Sequence, residues 1–153
     1  MRKVLLDTSL VIRAFDPDAI DAPELIASAK EKMKALVNDP NVALAITPLI
    51  YFEALRAVEY GDIQRNRKLE GAMSQFDMVE IRQKEADLAV RLTQFANVKK
   101  SKFNKKSFDV LHWACAQVNG LEIESVDADF QAFQALYDQM KLEDQVYAKT
   151  YRH

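Results

Sequence analysis

Lys3-Val4-Leu5-Leu6-Asp7-Thr8-Ser9 is the stretch of sequence that decides how this chain folds. An apolar run ends there at a carboxylate, and two hydroxyl side chains follow it. The pattern is typical of a buried parallel strand that gives way to a helix. Ligand crevices in open α/β sheets lie at the carboxyl ends of such strands. Asp7 is therefore predicted to lie at the functional edge of a sheet.

The composition is that of an ordinary globular protein, and we expect a single domain over residues 1–153. Hydrophobic residues make up 49% of the chain and charged residues 29%. The one cysteine, Cys115, excludes an internal disulfide and favours a reducing, cytoplasmic location. No apolar stretch approaches the roughly 20 residues of a membrane span, so we expect no membrane association. The net charge of −2 does not indicate a nucleic-acid binder, although acids around a metal can mask a basic rim.

Strand and helix patterns alternate along the chain. Strands are predicted at residues 3–6, 42–46 and 121–126, with a half-exposed edge strand at 76–81. Helices are predicted at residues 8–15, 23–37, 48–60, 62–72, 85–95, 107–120 and 130–137, before a polar tail. This order favours an α/β fold in which helices cover both faces of a mostly parallel sheet.

Acidic residues occur on four segments that could meet at one edge of this sheet. Asp7 and Asp127 follow predicted strands, and Asp109 lies in the first turn of a helix. Glu53 interrupts an apolar helix, where it is either an outward-facing residue or a buried functional acid. Asp129 lies two residues after Asp127, and the alternative for this pair is one turn residue and one helix cap.

Carboxylates that come within a few ångströms of one another need a cation, because like charges raise each other's pKa. Oxygen ligands favour Mg²⁺ or Mn²⁺. The two histidines, His112 and His153, lack the spacing of a zinc site. The chain has three glycines and no phosphate-binding loop motif, which excludes a nucleotide site of that kind.

These motifs together resemble the PIN domain, and within it the VapC toxin ribonucleases of VapBC toxin–antitoxin modules. The resemblance rests on Leu5-Leu6-Asp7-Thr8-Ser9, on Glu53 in an apolar helix, on Phe108-Asp109, and on Ser125-Val126-Asp127-Ala128-Asp129-Phe130. It implies a three-layer α/β/α sandwich with a central, mostly parallel sheet. It also implies a Mg²⁺- or Mn²⁺-dependent endoribonuclease that leaves a 5′-phosphate and a 3′-hydroxyl.

The resemblance also implies roles for individual side chains. The metal-binding and catalytic residues would be Asp7, Asp109, Asp127 or Asp129, and Glu53, with Glu53 completing the site or binding a second ion. The hydroxyl groups of Thr8, Ser9 and Ser125 would support these carboxylates by hydrogen bonding. Contacts with RNA would come from Arg56, Lys102, Lys105 and Lys106. The alternatives that involve no RNA contact are a solvated loop for the lysines and an ion pair with Glu53 for Arg56.

Two side chains depart from the family's pattern. His112 and Trp113 stand where its members usually carry small or aliphatic residues. We interpret Trp113 as a packing residue. His112 lies one helical turn after Asp109 and is interpreted as a core histidine or as one that supports the site from outside.

The resemblance further implies an RNA substrate (tRNA or ribosomal RNA), a cognate antitoxin protein and a homodimer. The alternative is a non-toxin PIN-domain protein that acts in RNA processing, or that binds RNA or a partner without cleavage. Two other families with acids at strand ends fit less well. Receiver domains need an acidic pair after the first strand, and haloacid-dehalogenase phosphatases need an aspartate at the position of Ser9.

Overall fold

The structure, a computed structural model, describes residues 1–101, 107–126 and 128–151. Four strands form in this part of the chain: β1 Arg2–Leu6, β2 Val42–Ile46, β3 Asp77–Met78 and β4 Glu122–Glu124. It also contains seven helices: α1 Thr8–Phe15, α2 Pro23–Asn38, α3 Pro48–Leu55, α4 Ile63–Met73, α5 Gln83–Val98, α6 Ser107–Asn119 and α7 Asp129–Tyr151.

The strands form one parallel sheet in the order β3-β2-β1-β4. In the register of β1, Leu5 lies opposite Ala45 on one side and Ile123 on the other. Val4, Leu5 and Leu6 are completely or almost completely buried, as expected of a strand with helices on both faces. The predicted α/β sandwich is confirmed.

The core consists of two apolar clusters that meet at β4. One cluster packs β1 and β2 against α1 to α4, and the other joins α5, α6 and α7. Ile123 of β4 contacts both. Trp113 and Cys115 are buried in the clusters, which confirms the packing role predicted for Trp113. The Trp113 ring lies edge-on to Tyr137, with their centroids 5.0 Å apart.

The strand order reverses next to β1. The chain adds β2 and β3 on one side of β1 and then returns to place β4 on the other side. In open α/β sheets, ligand crevices form at such a reversal, beyond the carboxyl ends of the two strands. Asp7 lies at this point, and its backbone N–H donates to the Glu124 carbonyl at 3.0 Å.

The last helix is much longer than predicted. The sequence pattern ended it near Tyr137, but α7 continues to Tyr151. Its apolar face persists because Leu136 and Met140 are both buried. Two ion pairs with exposed positions of α7 add to this contact: Arg91 of α5 with Asp144 at 2.8 Å, and Lys99, the residue after α5, with Glu143 at 2.7 Å. Within the described chain, no helix is long and apolar enough to cross a bilayer.

Three other predicted boundaries were wrong. The edge strand β3 has two residues instead of the six predicted, because only Ala45 and Ile46 of β2 pair with it. Strand β4 ends at Glu124, before the predicted end at residue 126. Helix α3 ends at Leu55, well before the predicted end at Tyr60. In each case the apolar pattern of the sequence continues past the last residue that makes the backbone hydrogen bonds of the helix or strand.

The start of α5 also differs from the prediction, which places it at Glu85. The helix begins at Gln83, and Glu85 is completely buried. Its carboxylate accepts hydrogen bonds from the Arg82 guanidinium at 2.8 Å and from the Asn119 amide at 3.2 Å. Glu85 therefore ties the first turn of α5 to the last turn of α6.

A buried ion pair fixes the end of α1 against α4. Asp16 follows α1, and both its oxygens accept from the Arg65 guanidinium, at 2.9 and 2.7 Å. Burial raises the pKa of Asp16, but the hydrogen bonds from Arg65 outweigh it and hold the pKa below its ordinary value of 3.8. The neighbouring Asp18 is 64% exposed and lies 3.9 Å from Arg65, so it serves as a control.

Replacing Asp16 with Asn should lower the free energy of unfolding at pH 7 by about 1–3 kcal/mol, less than for a fully buried pair because Arg65 is partly exposed. Asp18→Asn should change it by less than about 0.5 kcal/mol. A lowered pKa stabilises the fold above the unfolded pKa, and the effect is lost as the pH falls through the folded pKa. Urea unfolding should therefore show a Asp16→Asn deficit that is constant near neutral pH and shrinks below about pH 4. A deficit independent of pH would contradict this assignment.

Candidate metal centre

Asp7 is held at the end of β1 in an almost closed environment. Its residue surface is 5% exposed, and the Ser125 hydroxyl donates to Oδ2 at 2.8 Å. Burial raises the pKa of Asp7, and the Ser125 hydrogen bond and the nearby His112 offset this only in part. The ionised carboxylate therefore carries a desolvation cost that a bound cation would remove.

Glu53 reaches the same edge from α3. Thr47 caps that helix by accepting from the Ile50 N–H at 3.1 Å, and Pro48 occupies its first turn. The buried neighbours Ile50 and Ala54 turn this face of α3 inward, so the Glu53 side chain is mostly buried. The inward-facing alternative from the sequence is therefore the correct one.

The Glu53 carboxylate is fixed by two donors. Thr8 Oγ1 donates to Oε1 at 2.9 Å, and His112 Nε2 lies 2.5 Å from the same oxygen. Burial raises the pKa of Glu53, but these hydrogen bonds and the charges of His112 and Arg56 outweigh it and leave the pKa lowered. Glu53 is therefore ionised at neutral pH.

Helix α6 contributes two side chains from one face. Asp109 and His112 are three residues apart, a spacing that places them one above the other on a helix. Asp109 is half-buried, and His112 is 1% exposed. One oxygen from each of Asp7 and Asp109 and one ring nitrogen of His112 lie within 4.8 Å of one another.

The chemistry of this group fits a divalent metal ion. Ligand bonds of about 2.1 Å place two donors on one ion at most roughly 4.2 Å apart, close to the spacing observed here. In addition, His112 Nδ1 is buried and has no hydrogen-bond partner among the residues that the structure describes. Glu53 is not one of the three grouped residues and contacts the group through His112 and Thr8.

The structure brings most of the described sequence candidates to this edge. Thr8 and Ser125 hydrogen-bond to carboxylates of the site, as expected for supporting hydroxyls, whereas Ser9 is exposed. Asp129 is half-buried at the start of α7 and is not in the three-residue group. The following predicted site residues lie outside the described part of the chain: Asp127, Lys102, Lys105 and Lys106.

His112 is the residue whose position the sequence left most open. The sequence predicts a core histidine or an outer support, whereas the structure places a ring nitrogen among the potential ligand atoms. The signal in the sequence is the spacing of His112 from Asp109 on one helical face. Without a second histidine at metal-binding spacing, that signal does not by itself predict a metal ligand.

Arg56 lies next to the site with two exposed aromatic side chains. Its guanidinium carbon is 5.9 Å from the centroid of the Phe52 ring and 5.8 Å from that of Phe108. These rings precede Glu53 and Asp109 in the sequence, so the cluster borders both acids. The ion pair with Glu53, which was the alternative to an RNA contact for Arg56, is not seen, although the Arg56 charge lowers the Glu53 pKa.

Comparison with known proteins gives one family and a set of similar folds. The PIN domain model matches residues 4–136. A chain from the crystal structure of VapBC2 from Rickettsia felis bound to a DNA fragment from their promoter has a TM-score of 0.67 at 16% identity, covering 86% of this chain and 92% of that one. A chain from a toxin–antitoxin complex from Klebsiella pneumoniae has a TM-score of 0.55 at 22% identity, covering 81% and 86%. At these identities the likeness is one of fold, and no curated protein matches the sequence.

Because the charge of Asp7 is buried, removing it should stabilise the metal-free protein, whereas most substitutions of buried residues destabilise a fold. In metal-free protein, Asp7→Asn should raise the unfolding temperature, by about 2–4 °C for each kcal/mol of desolvation that is relieved. Ser125→Ala should lower it, because the carboxylate loses its donor. Added Mn²⁺ should raise the unfolding temperature of the unaltered chain more than that of Asp7→Asn. Thermal unfolding in EDTA and in Mn²⁺ measures both effects, and a destabilised Asp7→Asn protein in EDTA would show that the charge is already compensated.

Proposed function

The chain belongs to the PIN domain family, and from this premise we propose that it is a divalent-metal-dependent endoribonuclease and the toxin of a type II toxin–antitoxin module. The observation that carries the proposal is the meeting of Asp7, Asp109 and His112, from two distant segments, within 4.8 Å. Neighbouring carboxylates of this kind repel each other when no cation is bound, so the arrangement favours cation binding and does not favour folding by itself.

In this proposal Asp7 and Asp109 hold Mg²⁺ or Mn²⁺. Asp127 is the preferred further carboxylate because it comes soon after β4, and Asp129 is the other candidate. Ser125 fixes Asp7 by its hydrogen bond to Oδ2. When bound, the ion supplies a Lewis acid and lowers the pKa of a coordinated water, the chemistry that phosphodiester hydrolysis needs.

Glu53 is proposed to complete the catalytic centre. Its carboxylate is ionised and held in one orientation by Thr8 and His112. A carboxylate fixed in this way next to the metal group can accept a proton from an attacking water without first reorganising. The two donors to Oε1 therefore position the base before substrate arrives.

RNA would approach over the cluster of Phe52, Arg56 and Phe108. Exposed aromatic rings and guanidinium groups stack on unpaired bases, and each base contributes about 1–3 kcal/mol. Lys102, Lys105 and Lys106 precede α6 in the sequence and are proposed to contact phosphates beside the acids. Unpaired segments of tRNA or ribosomal RNA are the proposed substrates.

The proposed partner is a cognate antitoxin, with a homodimer as the assembly and the cytoplasm as the location. Support comes from the two similar folds, which belong to structures described as VapBC2 and as a toxin–antitoxin complex. Purification of this chain together with the product of a neighbouring open reading frame would test the partner. A chain that remains alone and active in every such purification would contradict the toxin assignment.

Replacing Asp7 or Asp109 with Asn should reduce Mn²⁺-dependent RNA cleavage at least about a hundredfold, because loss of a ligand exceeds the roughly 10–100-fold effect of outer groups. The exposed Asp18→Asn variant is the control and should cleave normally. Cleavage is measured on a fluorescent RNA with EDTA as the metal-free reference.

Two results would overturn these assignments. Undiminished cleavage by Asp7→Asn would refute its catalytic role. RNA binding without Mg²⁺- or Mn²⁺-dependent cleavage by the unaltered chain would favour the alternative PIN-domain function, in which RNA is bound but not cut.

A second prediction concerns affinity for the RNA backbone. Replacing Lys102, Lys105 and Lys106 together with Ser should weaken RNA binding and reduce the salt dependence of the association constant. Each lost phosphate contact flattens the log–log slope by about 0.7. Fluorescence anisotropy between low and moderate salt measures the slope.

The control for that experiment removes the same charge elsewhere. Lys30, Lys34 and Lys68 are exposed on α2 and α4, and their joint replacement with Ser should leave the slope unchanged. Equal changes of the salt slope in the two triple variants would mean that Lys102, Lys105 and Lys106 belong to a solvated loop and do not contact RNA.

A further inference from the structure

His112 is an ionisable side chain placed where only a specific partner makes it tolerable. It is 1% exposed, and it lies on the face of α6 that also carries Asp109. One ring nitrogen contacts Glu53, and the other, Nδ1, is buried with no hydrogen-bond partner in the described part of the chain. A buried polar atom left unpaired in this way requires an explanation, because such atoms usually find a donor, an acceptor or an ion.

The contact with Glu53 determines which nitrogen carries the proton. An ionised carboxylate can only accept hydrogen bonds, so Nε2 must donate to Oε1 across the 2.5 Å contact. In the tautomer that carries its proton on Nε2, the lone pair of the ring lies on Nδ1. A lone pair without a donor is the form of imidazole that binds a metal ion.

The surroundings of the ring supply the other ligands. A ring nitrogen of His112 lies within 4.8 Å of oxygens from both Asp7 and Asp109. Metal-bound histidines almost always donate their second N–H to a carboxylate or a carbonyl, which orients the ring and makes it a stronger ligand. Glu53 stands in that position, and Thr8 fixes Glu53 in turn.

We propose that His112 is a ligand of the ion held by Asp7 and Asp109, and that Glu53 is the carboxylate that orients its ring. The imidazole nitrogen then makes the site select Mn²⁺ and later transition metals over Mg²⁺. This inference rests on the proposed metal centre of the preceding section, but not on RNA cleavage. It changes the expected ligand set from oxygen alone to two carboxylates and an imidazole.

The selectivity follows from ligand chemistry. Mg²⁺ binds oxygen at short distances and keeps its waters, so a nitrogen ligand adds little to its affinity. Imidazole suits softer ions, and the affinity of such a site rises from Mn²⁺ through Co²⁺ to Ni²⁺. The site should therefore bind Co²⁺ more tightly than Mn²⁺ and Mn²⁺ more tightly than Mg²⁺.

The test measures metal binding by the whole chain, without RNA. Electron spin echo envelope modulation (ESEEM) spectroscopy of bound Mn²⁺ detects a coordinated nitrogen directly. Protein labelled with ¹⁵N-histidine should show the change in that coupling. His153 is the only other histidine, so His153→Asn should keep the nitrogen signal and His112→Asn should lose it.

Titration calorimetry supplies the second measurement. His112→Asn should bind Mn²⁺ and Co²⁺ at least about tenfold more weakly, with a change of less than about threefold for Mg²⁺. Glu53→Gln should weaken Mn²⁺ binding by roughly 10–100-fold, because the ring exchanges a charged acceptor for a weaker, neutral one. Thermal unfolding establishes that each variant is folded, and the spectrum of the unaltered chain stands even if a variant does not fold.

Several outcomes would overturn the inference. The first is an absence of nitrogen coupling in the unaltered chain, and the second is an equal loss of Mg²⁺ and Mn²⁺ affinity in His112→Asn. The third is tighter Mn²⁺ binding in Glu53→Gln, which would mean that Glu53 competes with the ion for the ring. Nitrogen coupling in a chain that cuts no RNA would support this inference and refute the ribonuclease function. Unchanged Mn²⁺ binding in both Asp7→Asn and Asp109→Asn would refute the metal centre and this inference together.

Discussion

The burial of a carboxylate at the end of the central strand is the constraint on which the candidate site depends. Asp7 follows three buried residues and lies where β1 and β4 part, so water reaches it poorly. One hydroxyl, from Ser125, donates to it across this gap. This hydrogen bond, the nearby His112 and a backbone hydrogen bond from Thr8 do not fully offset the desolvation of the charge, and burial leaves the Asp7 pKa raised. The fold thus holds an acid in a state that a divalent cation would stabilise.

The second feature of the site is a chain of contacts between helices that are distant in sequence. Thr8 of α1 and His112 of α6 both meet one oxygen of Glu53 on α3. Since a hydrogen-bonded group in a buried setting is restricted in orientation, these contacts fix the edge of the site before any ligand binds. Within this arrangement, Nδ1 of His112 is buried and finds no hydrogen-bond partner among residues 1–101, 107–126 and 128–151. Such local conflicts with stability are typical of functional sites.

Sequence patterns succeeded where the local signal and the buried face agree. The run Val4-Leu5-Leu6 predicted a central strand, and alternating elements predicted a parallel sheet with helices on both faces; both predictions are confirmed. Boundaries failed where packing overrides the local pattern. Helix α7 passes its polar stretch because Met140 still packs and charged neighbours pair with α5. Strand β3 is short because pairing with β2 stops after two residues.

The sequence by itself determined the fold class and indicated the candidate acids, because apolar periodicity and the position of a carboxylate after a strand are local properties. It could not determine which side chains share a pocket. The approach of His112 to Asp7, and the hydrogen bonds of Glu53 to Thr8 and His112, join segments 45 to 105 residues apart, by the difference of their sequence numbers. Those contacts depend on how α3 and α6 pack on the sheet. Only the tertiary structure decides that packing, because it is the sum of many side-chain contacts across the core.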